Sequence, residues 1–496
     1  PGPTLTTTPH SVARTSMTVV PIAIAARGAA FLIPVCVAIW FGVGAITDAW
    51  FWALAFPTFA IVLSGSAVAT TILPALAKIR KTDPTSLGRA IGSLMAWTAI
   101  FSFLLGLLVC LSAPWALKNF TRFEADTQSM ASTFLWELLP FMVVNCSSVV
   151  LRAGCEVHGH FKRVAVSPLI RAAVVIGFTA LLLGPAGEHA LPWGLVAGEV
   201  IQAMWWGAWL INAGVEIEPN MSVTPPIRQV GKDLFPILGG EVLVAANLVV
   251  DKGFASTLKE GSVAILEFAD RARIIPTTLM ISTLAMVAFA TWSNLHADGK
   301  SREARANMDM ALRWTLMLAA PMLAGMYIGR IVLIRLMFEH GAFTLQNSLD
   351  TAQVLAAYIP GLLFTLLGIL TIRAHIVERN LRIIFVLGAA SVMANFTLNQ
   401  LLIGPLGLPG LAISTSINSA LITTIYILCL VHLLPPNMIR RWSGGFAIAL
   451  VSLLFTVLME TGPGIPQRMG DIRLWVAVVV CSGLVLFGVG LIRHEQ

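Results

Sequence analysis

Four ionisable residues stand together inside an otherwise apolar stretch of this sequence. The run contains Glu267, Asp270, Arg271 and Arg273, and hydrophobic sequence of helix length follows it as far as Trp292. A charge near the middle of a bilayer costs on the order of 3 kcal/mol even on the mildest scales, so such groups usually face a polar cavity or one another. This segment therefore indicates a pathway for something polar through a membrane.

The elements that must position these charges are membrane helices. Of the 496 residues, 57% are hydrophobic and only 11% are charged, and the mean hydropathy is +0.83. Soluble proteins carry roughly 25% charged residues. Apolar windows long enough to cross a hydrocarbon core recur along the whole sequence, and they predict about fourteen transmembrane helices. The fold class is therefore all-α and polytopic.

The positions of Lys and Arg predict the orientation. If the N-terminus is cytoplasmic, the cytoplasmic loops hold most of the positive charge, and both termini lie inside. The residues concerned are Lys78, Arg80, Lys81, Arg89, Lys162, Arg163, Arg228, Lys232, Lys300, Arg302, Arg305, Arg373, Arg379, Arg382, Arg440 and Arg441. Because topology explains the net charge of +7, no nucleic-acid partner is expected.

Catalytic and metal chemistry find no support in the sequence. The six cysteines are scattered through apolar segments without a Cys-x-x-Cys pair, and we interpret them as small hydrophobic residues. His158 and His160 are the only close histidine pair, and neither a carboxylate nor a thiol cluster accompanies them. We expect no metal, no cofactor and no enzyme activity. Ion or membrane-potential coupling remains open.

An internal repeat runs through the sequence. Asp48 precedes Pro57 by the same nine positions by which Glu267 precedes Pro276, and Pro140 corresponds to Pro360 at nearly the same offset. Such constant spacing over about 100 residues indicates a duplication, here of six helices entering from the same side. We therefore expect two parallel six-helix lobes around a central cavity. The predicted regions are a disordered cytoplasmic N-terminus (1–15), an N-terminal lobe (16–214), a C-terminal lobe (231–434) and an appended helix pair (444–494).

Several short segments together resemble the MurJ (MviN) family of lipid II flippases. That family belongs to the superfamily of the MATE exporters and polysaccharide flippases. The order and spacing of the matches along the predicted helices carry the resemblance. The matching segments are Gly42–Phe51 with Phe56 and Pro57, Val250–Ser256, Gly261–Val263, Ala269–Arg271, Phe338–Thr344, Asn395 and Gly410–Ser416.

The resemblance implies a monomeric transporter in a bacterial inner membrane. It would move an undecaprenyl-pyrophosphate-linked saccharide from the cytoplasmic to the periplasmic leaflet by alternating access, in peptidoglycan biosynthesis, and so contribute to the cell wall and cell shape. Such a carrier needs a hydrated cationic cavity, and the planar arginine side chain binds phosphate bidentately. The appended helix pair is expected either to form a groove for the lipid tail or simply to pack against a lobe.

The resemblance marks Arg27 and Arg271 as cavity arginines, and we add Arg273 to the predicted substrate-binding residues. For Arg27 and Arg271 a structural ion pair with Asp48, Glu267 or Asp270 remains the alternative, whereas for Arg273 the resemblance is weaker. The predicted gating or coupling residues are Asp48, Glu267 and Asp270. An N-cap role remains open for Asp48. Since Trp52 and Leu54 stand where the second lobe has Arg271 and Arg273, the second lobe is expected to do more of the phosphate binding.

The sequence also departs from the family pattern. Ile33 and Ile61 occupy positions where the family usually has arginine. Lipid II and a related lipid-linked oligosaccharide are therefore both candidate substrates. A MATE-like exporter and a non-transporting membrane scaffold or intramembrane enzyme remain as alternatives. Arg152 and Arg171, near the inner ends of their segments, are expected to reach toward lipid headgroups.

Overall fold

The computed structural model describes residues 9–67, 71–218, 221, 246–280, 286–378 and 380–430. Every regular element in these residues is helical. This agrees with the predicted fold class, because a helix satisfies its backbone hydrogen bonds internally and can therefore cross hydrocarbon. The predicted appended pair at 444–494 lies outside the described residues, as does the first part (231–245) of the predicted C-terminal lobe.

The chain divides into two compact units, residues Pro1–Gly261 and Ser262–Gln496. The helices of the first unit are α1 (Pro9–Phe41), α2 (Ala45–Ala67), α3 (Leu73–Thr82), α4 (Leu87–Phe120), α5 (Ala125–Val157), α6 (Phe161–Ala186) and α7 (Ala190–Asn212). Residues 246–255 are helical as well and are labelled α8. Helix α1 begins within the segment 1–15 that the sequence predicts to be disordered.

The second unit contains three helices that match helices of the first unit in length. Its helices are α9 (Ser262–Met280), α10 (Met286–Ala297), α11 (Ser301–Ile328), α12 (Arg330–Phe338), α13 (Leu345–Val377), α14 (Leu381–Leu406) and α15 (Leu408–Leu430). Helices α5 and α13 both have 33 residues, with Pro140 and Pro360 at the same place in each. Helices α6 and α14 both have 26 residues, and α7 and α15 both have 23. The helix lengths thus support the internal repeat.

The boundary between the units differs from the predicted one. The sequence places the start of the second lobe at residue 231, whereas α8 and the turn after it belong to the first unit. Polar contacts join α8 and this turn to α2. The buried Lys252 Nζ donates to Phe51 O at 2.7 Å, and Gly261 N donates to Asp48 Oδ2 at 2.6 Å.

Each unit is built on one long central helix. In the first unit α5 packs against α2, α4 and α7, and in the second α13 packs against α9, α11 and α15. Outer helices expose apolar side chains instead. On α4 the exposed residues recur at helical spacing: Phe101, Leu104, Leu108, Leu111 and Trp115. Such an apolar stripe is suited to lipid. Eight spans among the described residues are long and apolar enough to cross a membrane.

Candidate functional site

A cavity of about 560 Å³ lies within the first unit. Its walls come from α1, α5, α6 and α7, with one residue from α2. The charged and polar residues that line it are Arg27, Asn145, Ser148, Arg152, Glu156, Ser167, Arg171, Glu199 and Gln202. Three arginines and two glutamates give the lining a formal charge of +1. A cavity of this charge within apolar helices is suited to an anionic group.

Among the three cavity arginines, Arg27 is the one whose charge is least balanced by protein groups. It lies on α1 between Pro21 and Pro34, and its side chain is exposed. Among the described residues Arg27 has neither an ion-pair nor a hydrogen-bond partner.

Arg171 on α6 and Glu199 on α7 form the second charged element of the cavity. Arg171 Nε donates to Glu199 Oε2 at 2.9 Å. Asn145 Nδ2 and Ser148 Oγ donate to Glu199 Oε1 at 3.0 and 3.1 Å. Glu199 is 1% exposed, and a buried carboxylate of this kind is stable only with such donors.

Two glycines on α7 make this pairing possible. A Cβ at Gly198 would contact Val175 and lie 3.1 Å from Arg171 O, and a Cβ at Gly194 would collide with Thr179. Small residues four apart let two membrane helices approach closely. The α6 backbone therefore comes near enough to α7 for Arg171 to reach Glu199.

The expectation that Arg171 reaches toward headgroups is wrong. Its guanidinium instead pairs with the buried Glu199, on a helix next to it in sequence. Arg152 also lines the cavity, where its Nε donates to Glu156 Oε1 at 2.9 Å. The sequence analysis missed this site because it did not consider Glu199. A lone glutamate within the apolar segment 190–212 was the available signal.

Asp48 lies in the first turn of α2 and is 1% exposed. Its carboxylate accepts from the backbone of Gly261, which has a φ of +86°. The first amide of α2 is satisfied by a different carboxylate, since Ala45 N donates to Glu260 Oε1 at 2.9 Å. Thr47 Oγ1 accepts from Gly44 N. A distant residue, Glu260, thus takes the capping role that the sequence left open for Asp48.

The four charges of the second unit are paired along α9. Arg271 pairs with Glu267 four residues earlier, and Arg273 pairs with Asp270 three residues earlier. The Arg273 guanidinium also lies 4.9 Å from the ring centroid of Tyr358 on α13. Within α9 these charges therefore compensate one another. Whether they bind substrate or take part in gating stays a prediction.

Long apolar helices arranged as a twofold repeat, with a charged cavity in one unit, define a polytopic membrane transporter. A family model described as "Lipid II flippase MurJ" matches residues 37–462. The chain belongs to this family, whose members are transporters and not enzymes. The family resemblance seen in the sequence is confirmed.

Individual relatives agree over most of their length. The probable lipid II flippase MurJ of Bdellovibrio bacteriovorus is 24% identical over 462 residues, covering 89% of this chain and 88% of the relative. The lipid II flippase MurJ of Burkholderia cenocepacia is 22% identical, covering 90% of this chain and 91% of the relative.

Solved structures show the same fold. A lipid II flippase MurJ in an inward closed conformation matches with a TM-score of 0.80 at 20% identity, covering 97% of this chain and 99% of that one. An inward-facing MATE-family multidrug transporter matches with a TM-score of 0.67 at 13% identity, covering 87% of this chain and 99% of that one. The chain is therefore a membrane protein with the flippase fold.

Proposed function

We propose that this protein moves an undecaprenyl-pyrophosphate-linked saccharide from the cytoplasmic to the periplasmic leaflet of a bacterial inner membrane. The substrate is lipid II or a related lipid-linked oligosaccharide. The protein acts as a monomer by alternating access, with both termini in the cytoplasm. Family membership supports the transport reaction.

The single observation that carries the proposal is the position of Arg27 in the cavity of the first unit. Its guanidinium has no protein partner among the described residues, and it can therefore bind a pyrophosphate oxygen without first breaking an ion pair. Charge-assisted and bidentate contacts of this kind are the strong ones for phosphate. Arg27 is thus the first substrate-binding residue of the proposal.

The charged run of α9 has a second role in the proposal. Arg271 and Arg273 bind the substrate after exchanging their carboxylate partners for phosphate, and Glu267 and Asp270 take part in gating or ion coupling. The internal pairing of these charges weighs against the expectation that the second lobe does more of the phosphate binding. Asp48 serves the gate of the first unit.

The proposed function is tested in cells depleted of their own lipid II flippase. We expect the wild-type protein to restore growth and normal cell shape when it is produced in the membrane at a matched level. The same gene with a frameshift, which gives no full-length protein, is the negative control and should give no rescue. Absence of rescue by well-expressed wild type would contradict lipid II as the substrate.

A charge exchange on α9 separates substrate binding by Arg271 from a structural ion pair. Arg271→Glu alone places two carboxylates one helical turn apart, with Glu267 only 4% exposed. We expect it to lower the midpoint of thermal unfolding, because a broken buried pair costs about 3 kcal/mol or more. The double variant Arg271→Glu with Glu267→Arg restores an opposite-charge pair and should restore that midpoint.

A transport measurement distinguishes substrate binding by Arg271 from a structural ion pair. We expect the charge-exchanged protein to fold normally and yet fail to rescue depleted cells, since the cation then lies one turn away from its native position. The equivalent exchange at Arg335 and Glu339, a pair four residues apart on and after α12 with Arg335 exposed and Glu339 half-buried, is the matched control and should leave rescue intact. Full rescue by the α9 exchange would assign Arg271 a structural role only.

A further inference from the structure

The network around Glu199 places a second arginine at the cavity beside Arg27. Glu199 accepts hydrogen bonds from Arg171, Asn145 and Ser148. Three donors on one carboxylate fill most of its acceptor positions. The carboxylate is therefore already satisfied by protein, and its role toward a ligand is to hold its partners in place.

Arg171 has hydrogen-bond donors in addition to the one that binds Glu199. Only its Nε is bonded to Glu199, and among the described residues neither Nη atom has a hydrogen-bond partner. The side chain is 22% exposed and lines the cavity. The ring of Phe141 lies 5.8 Å from its Cζ. Two amino groups on a fixed planar cation match the geometry of phosphate oxygens.

The α2 wall of the cavity offers no charge in the part of the chain that the structure describes. Its lining residue there is Ile61, which is apolar. Arg171, on a different helix, supplies a cation to the same space as Arg27.

From this geometry we propose that Arg171 is a further phosphate-binding residue for the pyrophosphate of the lipid carrier, and that Glu199 is its positioning residue. The inference rests on the proposed function for its substrate class. Asn145 and Ser148 complete the positioning, since they fix the carboxylate that fixes the arginine. Arg152 is held by Glu156 in the same manner at a more exposed place in the cavity.

The test measures binding by the purified full-length protein in detergent. The probes are undecaprenyl pyrophosphate, and undecaprenol as the same lipid without the anion. We expect Arg171→Ala to weaken binding of the pyrophosphate lipid about 10- to 100-fold, as for loss of a charged hydrogen-bonding group. Binding of undecaprenol should stay within about twofold of the wild-type value, because the lost interaction involves phosphate alone.

Further variants test whether the loss of binding is specific to the Arg171 side chain. Arg163→Ala removes an arginine from the same helix that stacks on Trp209 and does not line the cavity, and it should bind both probes as the wild type does. Glu199→Gln should weaken pyrophosphate binding less than Arg171→Ala, and Arg171→Lys should recover part of it. If Arg171→Ala does not fold because Glu199 is left unpaired, Arg171→Met with Glu199→Leu gives an apolar pair that tests the same loss.

The outcomes separate this inference from the proposed function. Wild-type pyrophosphate affinity in a folded Arg171→Ala or Arg171→Met/Glu199→Leu protein would overturn the phosphate role, and so would an equal loss for undecaprenol. A wild type that fails to rescue depleted cells, yet binds undecaprenyl pyrophosphate through Arg171, would contradict lipid II while supporting this site. A wild type that binds no pyrophosphate lipid would overturn both.

Discussion

Replacing Arg27 by alanine is expected to abolish rescue of flippase-depleted cells. The cavity of the first unit then keeps only arginines that are paired with glutamate, and its formal charge falls from +1 to zero. Losing a charged hydrogen-bonding group should weaken pyrophosphate binding about 10- to 100-fold. Arg27→Lys retains the charge but not the bidentate geometry. Its affinity for pyrophosphate should therefore lie between those of the wild type and of Arg27→Ala.

The stability of this variant separates binding from folding. Because Arg27 has no partner among the described residues and an exposed side chain, its removal leaves no buried group unsatisfied. We expect the midpoint of thermal unfolding in detergent to be unchanged. Arg89→Ala, another exposed arginine outside the cavity, is the control for both measurements. Full rescue by Arg27→Ala would refute the phosphate role of Arg27.

Replacing Asp48 by alanine is expected to destabilise the first unit and to abolish transport. The carboxylate is buried and accepts from Gly261 N, and a buried amide left without an acceptor costs about 1–3 kcal/mol. The same region holds the buried Lys252, which donates to Phe51 O three residues further along α2. Thermal unfolding and cell rescue are the measurements.

Asp48→Asn distinguishes hydrogen bonding from charge. Its amide oxygen can accept from Gly261 N. We therefore expect the free energy of unfolding to lie within about 1 kcal/mol of the wild-type value. If Asp48 acts in the gate through its charge, the asparagine variant is stable and transports poorly. Wild-type transport by Asp48→Asn would instead limit Asp48 to holding the turn after α8. Asp126→Ala, in the exposed first turn of α5, should change neither property.

Local spacing predicted some of the site correctly. Glu267 with Arg271 and Asp270 with Arg273 are separated by four and three positions, and side chains so spaced on a helix lie next to each other. The pairing of Arg271 with a carboxylate such as Glu267 was among the alternatives that the sequence offered, whereas the pairing of Arg273 with Asp270 was not stated. The equal lengths of α5 and α13 likewise follow from the offset that joins Pro140 to Pro360.

Other features of the site depended on neighbours that are distant along the chain. Arg171 meets Glu199 because glycines on α7 let two helices approach. Glu260 rather than Asp48 satisfies Ala45 N, across 215 positions. The spacing of residues in one helix carries no information about which face of another helix packs against it. The partners of Arg171 and Asp48 were for that reason not predicted.

The sequence by itself determined that this is an all-helical membrane protein with an internal repeat and a resemblance to lipid II flippases. Apolar length, the distribution of positive charge and constant offsets are properties of the linear chain, and the need to satisfy the backbone in hydrocarbon leaves few folds open. Only the tertiary structure decided which of the other charges are compensated. Arg171 is held by Glu199 on a neighbouring helix, and Arg27 has no partner among the described residues, because helix packing sets the distances between charges on different helices.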